Sequence, residues 1–179
     1  MNAPLDGKNQ FQSPLQRNAL EQLEFKLSKV YSSREQSEQA LRMLIEVATR
    51  RLVERSHELR ELDARRVANP QWFCGNQLMA YSAYVDKFGG NLDGVRGKID
   101  WLQEMGVNYL HLLPFLKMRP EQSDGGVAVE NFLEVEPSLG DHQQLESLVK
   151  ELRAKGISLC SDLVLNHVAD THEWARKAR

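Results

Sequence analysis

The chain has 179 residues, a formal net charge of −2 and 41% hydrophobic residues, which suffices for one good-sized domain or for one domain and a smaller module. The near-balanced charge provides neither a basic surface for nucleic acid nor an acidic tail, so we predict no nucleic-acid partner. No apolar stretch approaches the roughly 20 residues that span a bilayer, and the N-terminus lacks the basic and apolar regions of a signal peptide. We therefore also predict no membrane partner.

The two cysteines, Cys74 and Cys160, lie far apart in the sequence. Neither belongs to a C-x-x-C pair, so the spacing typical of a cysteine metal site is absent. Cys160 lies in an apolar run and is interpreted as a small buried residue, and a disulfide between the two cysteines is the less favoured alternative. This cysteine usage predicts a cytoplasmic protein.

The first third of the chain has a helical pattern. Residues 1–12 are polar and are predicted to be a disordered N-terminus, and residues 13–69 are predicted to be a helical N-terminal domain. Ser33 and Gln36 have the spacing of a capping box for a second, longer helix, whose apolar stripe continues to Leu62 at helical spacing. Arginine and glutamate crowd the other face, as on a solvated helix, and no strict heptad supports the alternative of a coiled-coil adaptor. We interpret this region as a helical hairpin or part of a small bundle.

From residue 70 onwards, helical periods alternate with short apolar runs. Three of these runs are predicted to be strands: residues 78–85, 107–115 and 157–163. The helices between them are predicted to end at Gly106 and Gly156, and residues 116–139 are predicted to form a long loop. Short helix-to-strand turns repeated in this way are typical of a parallel sheet. The pattern alone does not separate a doubly wound sheet from a (β/α) barrel.

A polar cluster follows the third predicted strand and contains Asp162, Asn166 and His167. Active sites of parallel α/β proteins gather at the carboxyl ends of strands, so this cluster is the best candidate for chemistry. Taken alone, His167 would be interpreted as a capping or packing residue. His111 lies within the second predicted strand and is interpreted as a core histidine with one partner. Neither a glycine-rich phosphate loop nor a serine nucleophile elbow is present, so we predict no cofactor.

Six segments occur in the same order as in a known family of enzymes. Together they resemble the first three barrel units of the α-amylase family: residues 84–92, 99–107, 109–115, 124–126, 136–140 and 162–167. The closest resemblance is to the amylosucrases. It lies in the sequence Leu110-His-Leu-Leu-Pro-Phe-Leu-Lys117 and in the helical N-terminal domain. The resemblance is firm over residues 70–179 and loose before them.

The resemblance implies an α/β fold, with a helical N-terminal region followed by the first three β/α units of a TIM (β/α)8 barrel, truncated within residues 70–179. It implies transfer of an α-glucosyl unit from sucrose to an α-glucan, by a carboxylate nucleophile and a carboxylic acid that protonates the leaving sugar. In the family these carboxylates come from later strands, so no catalytic residue is expected in this chain, and the chain alone is expected to be inactive. A sucrose hydrolase or another α-amylase-family glycosidase is the alternative. The alternative of another class is a non-catalytic truncated remnant or a helical association module.

The resemblance also implies four substrate-binding positions. Asp162 matches an aspartate that orients its neighbours through hydrogen bonds, and His167 matches a histidine that binds a hydroxyl of the glucosyl ring. Asp124 matches an aspartate that helps to close the donor pocket by pairing with a later arginine. Val127 stands where the family has a tyrosine that stacks on the sugar ring, and valine offers no aromatic face. The residue matching Asn166 is a calcium ligand in α-amylases but amylosucrases generally lack that site, so we predict no metal.

Overall fold

The computed structural model describes residues 14–120 and 124–179. The chain divides into two compact units, one that ends at Pro70 and one that runs from Gln71 to Arg179. The predicted disorder of residues 1–12 lies outside the described residues. Within the described ranges, no helix has both the length and the apolar character needed to cross a membrane.

From residue 14 onwards, the first unit contains three helices where two were predicted: α1 Pro14–Val30, α2 Arg34–Glu54 and α3 His57–Ala68. The Ser33 side chain accepts the backbone N–H of Gln36, as predicted for the start of α2. The other half of the predicted capping box is replaced, because the Gln36 side chain accepts a hydrogen bond from the Ser32 hydroxyl. The predicted long helix is interrupted because Ser56 caps a new one by accepting the N–H of Leu59.

Helices α1 and α2 pack against each other, with Leu41 and Ile45 buried. Helix α3 has no buried residue and is held to the end of α2 by polar groups. Arg55 forms a two-point hydrogen-bonded ion pair with Asp63, and Arg60 donates to three backbone carbonyls at the end of α2. Arginine side chains thus satisfy carbonyls that have no partner within the helix.

The second unit is built on a parallel sheet of three strands in the order β1–β2–β5: β1 Ala80–Ala83, β2 Tyr109–Leu112 and β5 Ser158–Ser161. All three lie inside the spans predicted from the sequence. The prediction of a loop over residues 116–139 was wrong, because β3 (Leu116–Met118) pairs antiparallel with β4 (Val129–Val135). Two consecutive glycines between them have φ of +84°, a conformation that lets the chain reverse its direction.

The helical segments of the second unit are mostly short: a 3-10 turn at Trp72–Cys74, then α4 Val85–Phe88, α5 Leu92–Arg96, α6 Ile99–Glu104, α7 His142–Ala154 and α8 Glu173–Ala178. The helix that was predicted between the first two strands of the parallel sheet is divided at Gly97 into α5 and α6. Gly106 and Gly156 have φ of +76° and +75° and follow α6 and α7, as predicted for C-terminal glycines. A capping box between Asp141 and Gln144 begins α7.

The hydrophobic core lies between the sheet and the helices. Leu110 and Leu112 of β2 are fully buried and belong to one cluster with Leu102 of α6 and Leu148 of α7. Because side chains alternate along a strand, the residues between these leucines point to the opposite face. The candidate site lies on that opposite face of the sheet.

Candidate active site at the carboxyl edge of the sheet

His111 lies between two core leucines and therefore on the face opposite the core. Its Nδ1 is 2.9 Å from Ser82 Oγ, and its Nε2 is 3.0 Å from Asp162 Oδ1. The interpretation of His111 as a core histidine with one partner was wrong, because the ring has two partners and its side chain is 30% exposed. The period-two alternation of β2 was the signal that could have placed it correctly.

Asp162, one of the predicted binding residues, follows β5 directly. This position is the carboxyl end of a parallel strand, where sites of such proteins gather. The Asp162 side chain is 34% exposed, so a ligand can reach it. Its hydrogen bond with His111 links it to the neighbouring strand β2. The predicted role of Asp162, which is to orient its neighbours through hydrogen bonds, stays a prediction.

His167 is exposed beside Asn166, and the Asn166 Nδ2 atom lies 3.3 Å from His167 Nδ1. An amide NH₂ group only donates, so Nδ1 acts as the acceptor. The proton of the neutral ring then sits on Nε2, which is left as a donor. A hydroxyl oxygen is a suitable acceptor for that group, which suits the predicted contact with a sugar.

Asp124 closes a tight loop within its own segment. Its Oδ1 accepts the backbone N–H of Ala128 at 3.0 Å. This hydrogen bond lowers the pKa of Asp124 below its ordinary value, and the positive charge of Arg119 lowers that pKa further, as does His167 when its ring is protonated. The electrostatic effect of His167 shows that the structure brings two of the predicted binding residues into one region.

The loop after Asp124 packs closely on the ends of two strands. A Cβ atom on Gly125 would lie 3.0 Å from the Tyr84 hydroxyl, and one on Gly126 would lie 3.0 Å from Pro114. Both glycines also have positive φ, so a side chain there would meet both strain and crowding. Val127, which follows them, is half-buried.

A cleft with a volume of about 370 Å³ lies beside this loop, within the range of small-ligand pockets, roughly 300–1,000 Å³. The Tyr84 ring forms part of its wall together with Gly125. Asp86 and Lys87 also line it and form an ion pair of 2.9 Å, which lowers the pKa of Asp86. The Ser138 residue adds a hydroxyl. Sequence reasoning did not identify Ser82, Tyr84 or this cleft as parts of a site.

Ser82, His111 and Asp162 have the residue types of a hydrolase triad. In such triads the serine stands on a sharp turn that exposes it to substrate. Ser82 instead lies within β1 and is paired with β2. We therefore interpret the three residues as an orienting chain of hydrogen bonds and not as a nucleophilic centre.

Among the described residues, no group of three or more histidine, cysteine, aspartate or glutamate side chains is arranged to hold a metal ion. The predicted absence of a metal stays a prediction. Cys74 and Cys160 are both free thiols, so the less favoured disulfide does not form.

The family model for the α-amylase catalytic domain matches residues 21–179. The oligo-1,6-glucosidase IMA5 of Saccharomyces cerevisiae is 29% identical over 63% of this chain and 20% of its own length. The trehalose-6-phosphate hydrolase of Escherichia coli is 35% identical over 61% of this chain and 20% of its own length. Neither relative is named an amylosucrase, so the predicted resemblance is shown at the level of the broader family. The chain spans about a fifth of the length of these relatives.

Solved structures give the same result for the fold. A family GH13_31 enzyme matches 60% of this chain and 21% of its own chain, with a TM-score of 0.55 and 32% identity. A mutant of the trehalulose synthase MutB in complex with the substrate sucrose matches 60% of this chain and 20% of its own, with a TM-score of 0.52 and 27% identity. The predicted fold class, a helical region followed by β/α units of a TIM barrel, is confirmed. Because the family match extends over residues 21–179, the chain belongs to the α-amylase family and contains part of its catalytic domain.

Proposed function

We propose that this chain is part of an enzyme that hydrolyses α-glucosides or transfers their glucosyl unit. The observation that carries this proposal is the placement of Asp162, partly exposed and hydrogen-bonded to His111, at the carboxyl edge of a parallel sheet. In barrels built from such units, this edge is where substrate binds. Membership of the α-amylase family supplies the class of substrate.

The described residues provide groups that bind and orient a sugar. His167 Nε2–H can donate to a ring hydroxyl, and the Asp162 carboxylate can accept one. Asp124 is kept ionised by the Ala128 N–H, which suits pairing with a cation. Cleavage of the glycosidic bond requires a nucleophile and an acid on opposite sides of the anomeric carbon. We propose that these two carboxylates come from strands other than β1, β2 and β5.

We further propose sucrose as the glucosyl donor and an α-glucan as the acceptor, as in an amylosucrase. The amino-acid sequence of residues 110–117 supports this narrower proposal. The similarity to a synthase whose structure was solved in complex with sucrose supports it as well. In transfer, the glucosyl–fructosyl bond of sucrose breaks, fructose leaves with a proton, and the glucan gains one glucosyl unit. In hydrolysis, water takes the place of the glucan and glucose is released.

The test uses the product of the complete open reading frame that encodes this chain. Purified protein is incubated with sucrose, isomaltose or trehalose, with and without a glucan acceptor. Release of glucose or fructose from at least one of them, and its loss in Asp162→Asn, is expected. With sucrose as the substrate and glucan present, release of more fructose than glucose identifies transfer, whereas release of equal amounts identifies hydrolysis. A soluble, folded product that cleaves none of these α-glucosides would leave the non-catalytic alternative.

The 179-residue chain by itself serves as the matched control. We expect it to release neither glucose nor fructose from sucrose. Its site residues are proposed to bind the sugar, whereas the two carboxylates that break the glycosidic bond are proposed to come from other strands. Turnover by this chain that disappears in Asp162→Asn would show that the described residues include the catalytic groups.

A further inference from the structure

Three side chains connect the three parallel strands on the face opposite the core. Ser82 of β1 is the register partner of His111 of β2, and Cys160 of β5 is the next residue in the same row. Asp162 stands two positions after Cys160 and continues the same alternation. The hydrogen bonds from Ser82 to His111 and from His111 to Asp162 therefore cross the sheet from one edge to the other.

The partners of His111 fix the position of its proton. A carboxylate only accepts hydrogen bonds, so the ring donates to Asp162 through Nε2–H. Nδ1 of the neutral ring is then an acceptor, and the Ser82 hydroxyl donates to it. Because both ring nitrogens are engaged, the ring is held at two points and its tautomer is determined by its neighbours.

This arrangement limits the freedom of Asp162. The Asp162 side chain accepts a hydrogen bond from the His111 ring. This bond is made to Oδ1 and leaves Oδ2 without a hydrogen bond among the described residues. Without it, the carboxylate at the end of β5 could rotate among several rotamers. With it, the second oxygen, Oδ2, has a defined direction, and the side chain that carries it is 34% exposed.

We propose that His111 is a positioning residue for Asp162, with Ser82 setting the tautomer of the ring. His111 holds the carboxylate in the orientation in which Oδ2 accepts a hydroxyl of the bound glycosyl unit. The identity of the ligand rests on the proposed function, whereas the fixed carboxylate is a property of this chain.

The first experiment is an NMR measurement on the 179-residue chain with ¹⁵N-labelled histidine. We expect the His111 Nε2–H proton to exchange slowly with water, in contrast to the ring of His57, whose side chain is 88% exposed. The signal is assigned by its absence in His111→Gln. Asp162→Ala should abolish the protection, and Ser82→Ala should move the Nδ1 resonance while Nε2–H stays protected. Exchange as fast as that of His57, or protection that survives Asp162→Ala, overturns the proposal.

The second experiment compares two variants in the product of the complete reading frame. The carboxamide nitrogen of His111→Gln can occupy the place of Nε2 and donate to Asp162, whereas His111→Ala cannot. At equal thermal midpoints, His111→Gln should keep kcat/KM within about threefold of wild type, and His111→Ala should lose about tenfold or more, the scale on which misplacement of a positioned group acts. Equal losses in both variants contradict a role that acts through the N–H group. A protected ring proton in a protein inactive on α-glucosides would refute the proposed function and leave the positioning of Asp162 intact.

Discussion

The Asp124 carboxylate and the Ala128 backbone N–H are joined by a hydrogen bond of 3.0 Å that closes the glycine loop beside the cleft. This bond lowers the pKa of Asp124 in the folded chain. Stability contributed by a group with a lowered pKa is fully present above its unfolded value, about 4, and is lost as the pH falls through the folded value. We therefore expect the Ala128 amide resonance to titrate below pH 4, as the loop opens.

Two substitutions at this position separate charge from hydrogen bonding. Asp124→Asn keeps an oxygen acceptor for the Ala128 N–H but has no proton to bind, so the amide resonance should become independent of pH. Asp124→Ala should leave the loop open at every pH. An Ala128 resonance that titrates equally in Asp124→Asn would assign the transition to another group.

Val127→Tyr should improve use of the donor in the product of the complete reading frame. The substitution introduces an aromatic ring where the chain has valine, and stacking on a sugar is estimated at about 1 kcal/mol by analogy with aromatic contacts. That free energy corresponds to a gain of about fivefold in kcat/KM. Val127→Leu is the control for size without a ring. A loss in both variants would show that this half-buried position does not accept a larger side chain.

His167→Ala should reduce the rate more than the stability. His167 is exposed, so its removal should change the free energy of unfolding by no more than about 0.5 kcal/mol. A hydroxyl contact that strengthens in the transition state should instead lower kcat. The thermal midpoint is measured on the 179-residue chain and kcat on the complete product, with His57→Ala as the control for an exposed histidine. A large fall in the midpoint with normal kcat would support a packing role for His167.

Leu148→Ala should destabilise the second unit by about 2–5 kcal/mol, the usual cost of a cavity in a close-packed core. Leu148 is fully buried on α7. Leu133→Ala is a matched control, since Leu133 is 79% exposed and its truncation should cost no more than about 0.5 kcal/mol. Denaturant titration of both variants measures the difference. Similar midpoints for the two would mean that α7 does not pack on the sheet in solution.

Much of the fold could be predicted from local sequence patterns. The strands that contain Tyr109–Leu112 and Ser158–Ser161 follow from apolar runs after Gly106 and Gly156, because those glycines end helices through their positive φ. The break before α3 was not predicted, since Ser56 lies inside an uninterrupted helical pattern and only its cap reveals the start of a new helix. The strands β3 and β4 were also not predicted, because they form by pairing with each other. They lie in a segment without the glycine-terminated helices that precede β2 and β5.

The candidate site was predicted only where a residue follows a strand or belongs to a motif. Asp162 and His167 satisfy this condition, and the resemblance to a family supplied Asp124 and Val127. Ser82 has no distinctive neighbours in the sequence, and its relevance depends on the register that places it opposite His111. Register across parallel strands is set by the whole sheet, so a single chain pattern does not reveal it.

The strand order has a consequence for how the chain folds as it is made. Within the parallel sheet, each later strand pairs with the parallel strand formed before it, first β2 with β1 and then β5 with β2. During synthesis, where folding proceeds from the N-terminus, β2 and β5 therefore each emerge with their partner in the parallel sheet already present. A ribosome that pauses after α7 would expose a two-stranded sheet whose open edge is the docking place of β5, and the histidine that later holds Asp162 would already be in position on it.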